Sequence, residues 1–382
     1  MVTGARSDYG LLQRMMKLIQ LDPDLKLQTI VTGMHLSPEF GLTYKQIEDD
    51  GFVIDAKIEM LLSSDTAVGI TKSIGLGIIG FAEALDRLKP DILVLLGDRF
   101  ETLAAAQAAL VAKIPIAHIA GGDTTEGAFD ESIRHSVTKM SHLHFVTNEE
   151  ASRRVCQLGE NPFHIFNVGS PGIDQIRTLE LLSKSELERV SNFKFRTRNF
   201  LITFHPVTLD HLPSDIQFQQ LLEGLKRLGQ DVGLFFTKPN ADNDGRLLIQ
   251  LIDQFVAENS NAIAFTSLGQ LKYLSMMAES DVVVGNSSSG LYEAPSFKKP
   301  TVNIGDRQKG RIMASSVINC EPKADEIFNA IHMALNMDCS NTVNPYGDGH
   351  SSERIVHVLK TIPDFASLLK KHFHIGGLSD GS

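Results

Sequence analysis

The feature that most restricts the fold is a repeated alternation of short apolar segments with longer helical ones. Residues 92–96 read Ile-Leu-Val-Leu-Leu, an alanine-rich segment follows at 102–112, and another apolar segment occupies 115–119. Strands buried on both faces are continuous apolar runs, and helices of about ten to fifteen residues commonly connect parallel strands. The alternation therefore predicts the α/β class, with doubly wound parallel sheets of the Rossmann type.

The same pattern occurs in both halves of the chain, so two domains are predicted. At 382 residues the chain exceeds the size of one ordinary domain. Strands are predicted at 27–32, 52–54, 91–96, 115–119 and 143–146, and then at 200–204, 232–236, 262–265, 282–284 and 301–304. We place one Rossmann-like domain at 1–172, a second at 173–362, and at 363–382 a helical tail that is able to pack back on the first. Few residues precede Gly4, so the first strand is short or lacks upstream residues.

The bulk composition disfavours several classes of protein. The formal net charge of −10 argues against a nucleic-acid surface. Cys156, Cys320 and Cys339 lie far apart without metal-ligand spacing, which is typical of reduced intracellular thiols. No apolar run approaches the roughly 20 residues of a membrane span, and no signal peptide opens the chain. We expect a cytoplasmic protein without a metal or another cofactor, and the lack of G-x-G-x-x-G after the first strand disfavours dinucleotide binding.

One segment of the second half is typical of an anion-binding site. Gly285-Asn-Ser-Ser-Ser-Gly290 lies between an apolar run and a helix predicted over 291–297. Free backbone N–H groups and the helix dipole at such a turn attract phosphate, and serine hydroxyls add donors. Glu293 lies about one helical turn further on, where it can accept hydrogen bonds from a sugar diol, and Arg307 follows the next strand. The alternative is a serine-rich turn that only caps a helix.

Polar residues concentrate where the predicted strands end, and open α/β sheets bind ligands at the carboxyl ends of their strands. The set comprises Arg6, His35, Asp98, Arg99, Asp123, Asp130, Arg134, His205, Asn240, Ser288, Glu293 and Arg307. Two halves facing each other would bring these residues to one cleft, equipped for proton transfer beside an anionic leaving group. Taken singly, the residues also suit helix caps (Asp98, Asp130), solvated surface (Arg6, Arg134) and a loop (His205).

Several short motifs occur in the order found in one enzyme family. They are Gly97-Asp-Arg-Phe-Glu101, His118-Ile-Ala-Gly-Gly-Asp123, Asp130-Glu-Ser-Ile-Arg-His135, Thr203-Phe-His-Pro-Val207, Pro239-Asn240, and Gly285-Asn-Ser-Ser-Ser-Gly290 through Arg307. Over about positions 1–360 the chain resembles the hydrolysing UDP-N-acetylglucosamine 2-epimerases of bacterial sialic and legionaminic acid biosynthesis. The resemblance implies the two-domain fold shared with GT-B glycosyltransferases, with the active site between the domains, and a homodimer or a dimer of dimers.

The resemblance also implies a reaction and a set of site residues. UDP-N-acetylglucosamine and water become N-acetylmannosamine and UDP, by anti elimination to 2-acetamidoglucal and then hydration, as the first step of sialic acid biosynthesis. The catalytic positions match Asp98, Asp130 and His205, with Arg134 beside them and Asp123 as a further candidate. The nucleotide contacts match Arg6, Gly10, Arg99, His205, Asn240, Leu271, Tyr273, Ser287, Ser288, Ser289, Gly290, Glu293 and Arg307.

One position departs from the family pattern. Relatives carry a glutamate where this chain has Ala120, so we expect Asp123 or Glu126 to take over its proton transfer. The departure also leaves two candidates for the sugar of the substrate, and the alternative to N-acetylglucosamine is a 2,4-diacetamido-2,4,6-trideoxy analogue. Two further alternatives are a non-hydrolysing epimerase, which releases an intact nucleotide sugar, and a nucleotide-sugar-binding module or glycosyltransferase without epimerase chemistry.

Overall fold

The computed structural model describes residues 1–62, 66–124, 130–207, 212–239, 245–266 and 268–375. The chain divides into two compact units. Unit 1 comprises Met1–Gln175 together with Tyr346–Ser382, and unit 2 comprises Ile176–Pro345.

The strands of unit 1 are all parallel to their neighbours. They are β1 (Val2–Thr3), β2 (Ile30–Thr32), β3 (Ala56–Ile58), β4 (Leu93–Leu96), β5 (Ile116–Ile119), β6 (Leu143–Val146) and β7 (Ile165–Asn167). Hydrogen bonds give the orders β1-β2-β3 and β4-β5-β6-β7, and β1 lies beside β4. The order of the strands across the sheet is therefore β3-β2-β1-β4-β5-β6-β7. Successive strands are added on one side from β1 to β3 and on the other side from β4 to β7, so the strand order reverses between β1 and β4.

Unit 2 repeats this topology in one parallel sheet. Its strands are β8 (Arg198–Thr203), β9 (Val232–Thr237), β10 (Ala262–Phe265), β11 (Val282–Gly285), β12 (Thr301–Ile304) and β13 (Val317–Cys320). They pair in the order β10-β9-β8-β11-β12-β13, with the reversal between β8 and β11. The predicted α/β class with two doubly wound domains is confirmed.

Helices connect the strands in both units. They are α1 (Arg6–Leu21), α2 (Tyr44–Asp49), α3 (Ala67–Leu88), α4 (Phe100–Ala112), α5 (Asp130–Met140), α6 (Glu149–Gln157), α7 (Pro171–Thr178), α8 (Lys184–Ser191), α9 (Ser214–Lys226), α10 (Gly245–Glu258), α11 (Gly269–Glu279), α12 (Ser289–Tyr292), α13 (Ala324–Leu335) and α14 (Ser351–Thr361). Short 3-10 helices occur at Gly33–Leu36, Pro38–Phe40, Pro162–His164, Ala294–Phe297 and Phe365–Leu369.

The return of the chain to unit 1 occurs earlier than predicted. The apolar positions of α1 recur at helical spacing, and this buried face packs against α14. The carboxylate of Asp174 accepts hydrogen bonds from the backbone N–H groups of Ser351 at 2.8 Å and Ser352 at 2.6 Å. These contacts satisfy the first turn of α14. Residues 346–362 therefore belong to unit 1, whereas the predicted boundary put them in the second domain.

The tail beyond α14 is held on unit 1 by a buried carboxylate. Glu160 is 1% exposed, and its oxygens lie 2.6 Å from Lys371 Nζ, 2.8 Å from Lys139 Nζ and 3.0 Å from His144 Nε2. Burial opposes ionisation of Glu160, but the hydrogen bonds from His144 and the two lysines hold its pKa at about 2. In the described part of the predicted tail, up to residue 375, Phe365–Leu369 form a 3-10 helix in place of an α-helix.

The unit 2 sheet is buried on both faces. Along β8, Phe200 and Ile202 pack on the side of α9, α10 and α13, while Leu201 packs on the other side with α8 and α11. Side chains that alternate in this way give the continuous apolar runs from which the strands were predicted.

The predicted strands at 143–146, 262–265 and 301–304 coincide with β6, β10 and β12. The strand predicted at 52–54 is wrong. Phe52 instead packs edge-on against Tyr9, with ring centroids 6.2 Å apart, and β3 begins four residues later. The edge strands β7 and β13 were not predicted, because Asn167 and Asn319 interrupt their short apolar runs.

One helix differs from the expectation about membrane spans. By length and composition α3 is apolar enough to cross a membrane. In unit 1 it packs against α4, with Phe81, Ala84 and Leu85 in the core. Its glycines and serine masked the apolar run in the sequence.

Candidate active site

Strand order reverses at one point in each unit, and doubly wound sheets bind ligands at such points, beyond the carboxyl ends of the strands. In unit 1 the strands at the reversal, β1 and β4, are followed by residues 4–10 and 97–101. In unit 2 the strands β8 and β11 are followed by 204–207 and 286–290. Most predicted site residues lie in these four segments or close to them.

Asp98, Asp130 and Arg134 form the centre of the unit 1 site. Asp130 is the first residue of α5, and Arg134 follows one turn later on that helix. The Nη2 group of Arg134 donates to Oδ2 of Asp98, and the arginine is 8% exposed. Arg134 is therefore not part of a solvated helix face. Asp98 is not the N-cap of α4 either, since Arg99 occupies that position.

The surroundings of Asp130 suit a group that exchanges protons. Burial raises the pKa of Asp130 and the charge of Asp98 raises it further, while Arg134 and Arg99 lower it. Two carboxylates in different environments, with a guanidinium beside them, have the composition that general acid–base catalysis requires.

The loop after β5 contributes a third carboxylate. Ala120, in the position of the family glutamate, has φ +62°, a left-handed conformation that is uncommon for residues other than glycine. Asp123 Oδ1 accepts a hydrogen bond from Thr147 Oγ1 at 2.7 Å, and its backbone oxygen accepts one from Arg134 Nη1 at 2.8 Å. Asp123 thus belongs to the same cluster, while Glu126 lies outside the described residues.

Arg99 is oriented by two carboxylates. Its Nη2 and Nε groups donate to Glu101 at 3.0 and 3.3 Å, and Nε lies 3.8 Å from Asp8 Oδ2. Glu101 is 1% exposed, and a Cβ at Gly33 would lie 2.6 Å from its Oε1, so the fit around this carboxylate is close. A phosphate bound by Arg99 would share the cation with Glu101.

The remaining predicted residues of unit 1 are less central. Arg6 is exposed at the start of α1, next to the point of reversal. Gly10 lies inside the same helix rather than in a turn, and its carbonyl accepts a hydrogen bond from the amide of Gln175. His35 is fully buried, with Nδ1 2.8 Å from Thr43 Oγ1, and burial lowers its pKa to about 4.

Asn286 joins the two turns of the unit 2 site. Its buried side chain accepts a hydrogen bond from the backbone N–H of His205 at 2.7 Å and donates to the carbonyl of His205 at 2.9 Å. The backbone oxygen of Asn286 accepts from Arg307 Nη1 at 3.1 Å and from Gln308 Nε2 at 2.8 Å. The predicted residues His205 and Arg307 are therefore brought together through one asparagine.

The serine turn depends on a close approach of two strands. Gly285 has φ +135°, and a Cβ at this position would lie 1.9 Å from the carbonyl oxygen of Thr203, so no larger residue fits. Beyond it, the hydroxyl of Tyr273 is hydrogen-bonded to Ser289 Oγ, which donates to Ser287 Oγ at 3.1 Å. The hydroxyls of Tyr273, Ser287 and Ser289 thus form one connected set.

The helix after the turn is shorter than predicted. Ser288 precedes α12, which has only four residues, and Ala294–Phe297 continues as a 3-10 helix. Pro295 has no backbone N–H and cannot extend the α-helical hydrogen bonds. Gly290 lies within α12, close to Thr301, where a Cβ would lie 2.6 Å from Cγ2.

Two groups of unit 2 are poised to accept or donate hydrogen bonds. Glu293 Oε2 is buried without a hydrogen-bond partner among the described residues, and burial raises the pKa of this carboxyl to about 7. The pKa of His205 is lowered to about 4 by burial and by the charge of Arg307, so its imidazole is neutral at pH 7. A diol that donates to Glu293 would satisfy the buried oxygen.

Three further predicted residues stand as follows. Leu271 is exposed on α11, two residues before Tyr273. Arg307 is exposed apart from its contact with Asn286, and Asn240 lies outside the described residues. Within the described part of the chain, no group of three or more His, Cys, Asp or Glu side chains is arranged to hold a metal ion.

Glu101 and Asn286 were not predicted as site residues. Both are buried polar side chains beside exposed or half-exposed ligand-type residues, Arg99 and His205. Their positions inside the motifs at 97–101 and 285–290 were the sequence signal for them.

The chain is similar to known sugar-nucleotide enzymes. A family model described as UDP-N-acetylglucosamine 2-epimerase matches residues 17–360. The chain is 44% identical over 321 residues to a GDP/UDP-N,N'-diacetylbacillosamine 2-epimerase (hydrolyzing) of Campylobacter jejuni, covering 84% of this chain and 83% of the relative. It is 36% identical over 370 residues to a UDP-N,N'-diacetylbacillosamine 2-epimerase (hydrolyzing) of Legionella pneumophila, covering 97% of both.

A solved structure shares the fold. The UDP-GlcNAc 2-epimerase of Neisseria meningitidis bound to UDP-GlcNAc superposes with a TM-score of 0.76, covering 94% of this chain and 99% of that one at 19% identity.

Proposed function

The chain belongs to the UDP-N-acetylglucosamine 2-epimerase family, and we propose that it is a hydrolysing 2-epimerase of UDP-linked 2-acetamido sugars. The observation that carries this proposal is the cluster of Asp98, Asp130 and Arg134 at the point of strand reversal in unit 1. A nucleotide-binding module or a simple glycosyltransferase has no evident use for such a carboxylate pair.

The proposed reaction has two steps. In the first, a base removes the proton from C2 while the C1–O bond breaks on the opposite face, so UDP leaves with the bonding electrons and a glycal forms. In the second, water adds a hydroxyl at C1 and a proton returns to C2 on the other face. The products are UDP and the free sugar with inverted C2.

The unit 1 carboxylates suit the proton transfers. The C2 hydrogen is weakly acidic, so its removal requires a carboxylate that is close and partly desolvated. Asp130 is such a group, because burial and the charge of Asp98 raise its pKa. We assign the proton transfers to Asp98 and Asp130, with Asp123 as the third candidate. Arg134 holds Asp98 and the backbone of Asp123, which keeps these groups together.

The unit 2 groups suit the leaving nucleotide. Negative charge develops on the diphosphate as the C1–O bond breaks, and cations and backbone or hydroxyl donors stabilise it. We assign the diphosphate to Arg307 and to the serine turn at 287–289, and the ribose diol to Glu293. His205, neutral at pH 7, is available as a donor or acceptor near them.

For the sugar, the relatives favour the diacetamido alternative over UDP-N-acetylglucosamine. Two relatives with 44% and 36% identity are 2-epimerases of N,N'-diacetylbacillosamine nucleotides, which is the 2,4-diacetamido-2,4,6-trideoxy sugar considered above. We therefore propose UDP-N,N'-diacetylbacillosamine as the preferred substrate. The second candidate is UDP-N-acetylglucosamine, whose conversion is the first step of sialic acid biosynthesis.

Product analysis tests the reaction and the substrate together. The enzyme is incubated with each nucleotide sugar in D2O and the products are followed by NMR. Free UDP, a free manno-configured sugar and deuterium at C2 support the proposal, and the faster substrate identifies the sugar. An intact epimerised nucleotide sugar would instead show the non-hydrolysing reaction. A C2 position without deuterium would rule out the elimination route.

Two matched variants test the assignment of the carboxylates. Asp98→Asn and Asp130→Asn keep the shape of the side chain and remove its charge, so each should lower kcat by about a hundredfold or more. Neither should change UDP affinity measured by calorimetry, because UDP is assigned to unit 2. A variant with wild-type turnover would remove that residue from the mechanism.

We also propose that two copies associate through α3 and α4. Val68 and Ile79 on α3 and Val111 on α4 are 64%, 62% and 83% exposed. Apolar residues on neighbouring exposed helix faces are typical of a surface covered in the assembled protein. The free thiols Cys156, Cys320 and Cys339 agree with an assembly in the cytoplasm.

Light scattering tests this assembly. Ile79→Asp and Val111→Asp should convert the dimer to monomer by placing a charge in the interface. Val53→Asp, a change at another exposed valine of unit 1, is the matched control. Variants that elute with the same mass as the wild type would place the interface elsewhere.

A further inference from the structure

A buried histidine connects the segments that carry the unit 1 carboxylates. His118 lies in β5 and has no exposed surface. Its Nε2 is 2.8 Å from the carbonyl oxygen of Gly97, and its Nδ1 is 3.1 Å from Thr138 Oγ1. A carbonyl only accepts hydrogen bonds, so Nε2 carries the proton and Nδ1 accepts from the threonine hydroxyl.

Each partner of this imidazole is next to a candidate catalytic group. Gly97 immediately precedes Asp98 and has φ +73°, so its carbonyl orientation sets the direction of the turn. Thr138 is fully buried on α5, two turns after Asp130. One side chain thus connects the Asp98 turn to the helix that carries Asp130.

The loop with the third carboxylate packs on the same pair. A Cβ at Gly121 would lie 2.8 Å from Thr138 Oγ1 and 2.9 Å from His118 Nδ1. The position of the loop that leads to Asp123 therefore depends on the hydrogen bond between His118 and Thr138, on which Gly121 packs.

We propose that His118 is a positioning residue, which fixes the separation of Asp98 and Asp130 by holding the Gly97 turn against α5. This rests on the proposed function, in which both carboxylates transfer protons. His118 itself exchanges no proton during the reaction. Burial lowers its pKa to about 3, so the imidazole stays neutral at working pH, and both of its nitrogens are occupied.

Two amide variants separate the two hydrogen bonds. In His118→Gln the amide nitrogen falls near the position of Nε2 and can still donate to Gly97. In His118→Asn the shorter amide reaches only the position of Nδ1, and the Gly97 carbonyl loses its donor. Thr138→Val, which removes the other anchor without a change of shape, serves if His118→Asn does not fold.

We expect kcat to fall roughly 10–100-fold in His118→Asn, because a displacement of about 1 Å at a reacting group has that effect. His118→Gln should stay within about threefold of the wild type. KM and UDP affinity should change little in either variant, since we assign the diphosphate and the ribose to groups of unit 2.

The pH profile supplies a readout that general destabilisation would not change. Among the described residues, the charged groups that face Asp130 are Asp98, Arg134 and Arg99, and the charge of Asp98 raises the pKa of Asp130. When the Asp98 turn relaxes away from α5, the pKa of Asp130 should fall. The limb of the kcat/KM profile that Asp130 governs should therefore move to lower pH in His118→Asn, and in Thr138→Val, but not in His118→Gln.

The proposal is overturned if folded His118→Asn keeps wild-type turnover, if it loses turnover without a change of that limb, or if His118→Gln is equally impaired. The pKa of Asp130, followed by ¹³C NMR of aspartate-labelled protein, gives the same test without turnover. A wild-type enzyme that leaves both nucleotide sugars unchanged would refute the proposed function. A lowered Asp130 pKa in His118→Asn would still support the positioning role.

Discussion

Replacing Glu293 by glutamine should stabilise the unliganded protein at alkaline pH and weaken its binding of UDP. Oε2 of this buried carboxyl has no hydrogen-bond partner in the described part of the chain, and burial raises the pKa of the group from 4.5 to about 7. The folded protein therefore retains a proton that the unfolded chain loses between these two values. Stability falls as the pH rises through this window, by up to about 3 kcal/mol once the pH exceeds 7.

The size of the expected effect follows from this difference. Glutamine has no charge to desolvate, so Glu293→Gln should recover about 1–3 kcal/mol at pH 8 and little at pH 5. For a domain the size of unit 2, each kcal/mol shifts Tm by roughly 2–4 °C. If the ionised carboxylate accepts from the ribose diol, the variant should bind UDP about tenfold more weakly.

Thermal unfolding and calorimetry measure the two parts of this prediction. The transition that responds to UDP is followed at pH 5 and pH 8 for the wild type, Glu293→Gln and the control Glu279→Gln, an exposed residue at the end of α11. A variant that is no more stable than wild type at pH 8, or equally stabilised at both pH values, would refute the reasoning. Unchanged UDP affinity would remove Glu293 from the nucleotide site.

Three further predictions concern other parts of the two units. Arg307→Ala should weaken UDP binding about tenfold or more in calorimetry, because a charge-assisted contact is lost, while Lys309→Ala, the removal of a neighbouring exposed cation, should have little effect. Gly285→Ala should cost about 2–6 kcal/mol, from a positive φ and the clash with the Thr203 carbonyl, and a variant with unchanged Tm and UDP affinity would contradict this fit. Glu160→Gln should lower Tm by several degrees at pH 7, because Lys371 and the other partners lose their counter-charge. As the pH falls towards the Glu160 pKa of about 2, the difference in Tm between the variant and the wild type should shrink. A difference in Tm that does not depend on pH would contradict the ion-pair argument.

The fold was predictable where buried segments have a continuous apolar sequence. The runs at 262–265 and 301–304 are apolar because both faces of their sheet are covered, and the structure reproduces their bounds. The strands β7 and β13 each include an asparagine and have no apolar run longer than two residues, so no local signal marks them. Phe52 misled the prediction because a buried aromatic packs equally well outside a strand.

The candidate site was predictable in its residue types but not in its pairings. Motif order and strand ends indicated Asp98 and Arg134, while their contact joins residues 36 positions apart. Asn286 reaches His205 across 81 positions, and no local pattern encodes that distance. Long-range polar contacts follow from the sheet order, which single-sequence periodicity does not supply.

The division of the chain affects the order in which the protein forms during synthesis. Unit 2 is one uninterrupted stretch, Ile176–Pro345, whereas unit 1 is completed only when Tyr346–Ser382 emerges. Domains generally fold as units as they leave the ribosome. The second unit can therefore mature while the first still lacks its final helix, and the part of α1 that packs against α14 stays uncovered until α14 arrives. Docking of α14 on α1 is therefore a late event in the assembly of the nascent chain.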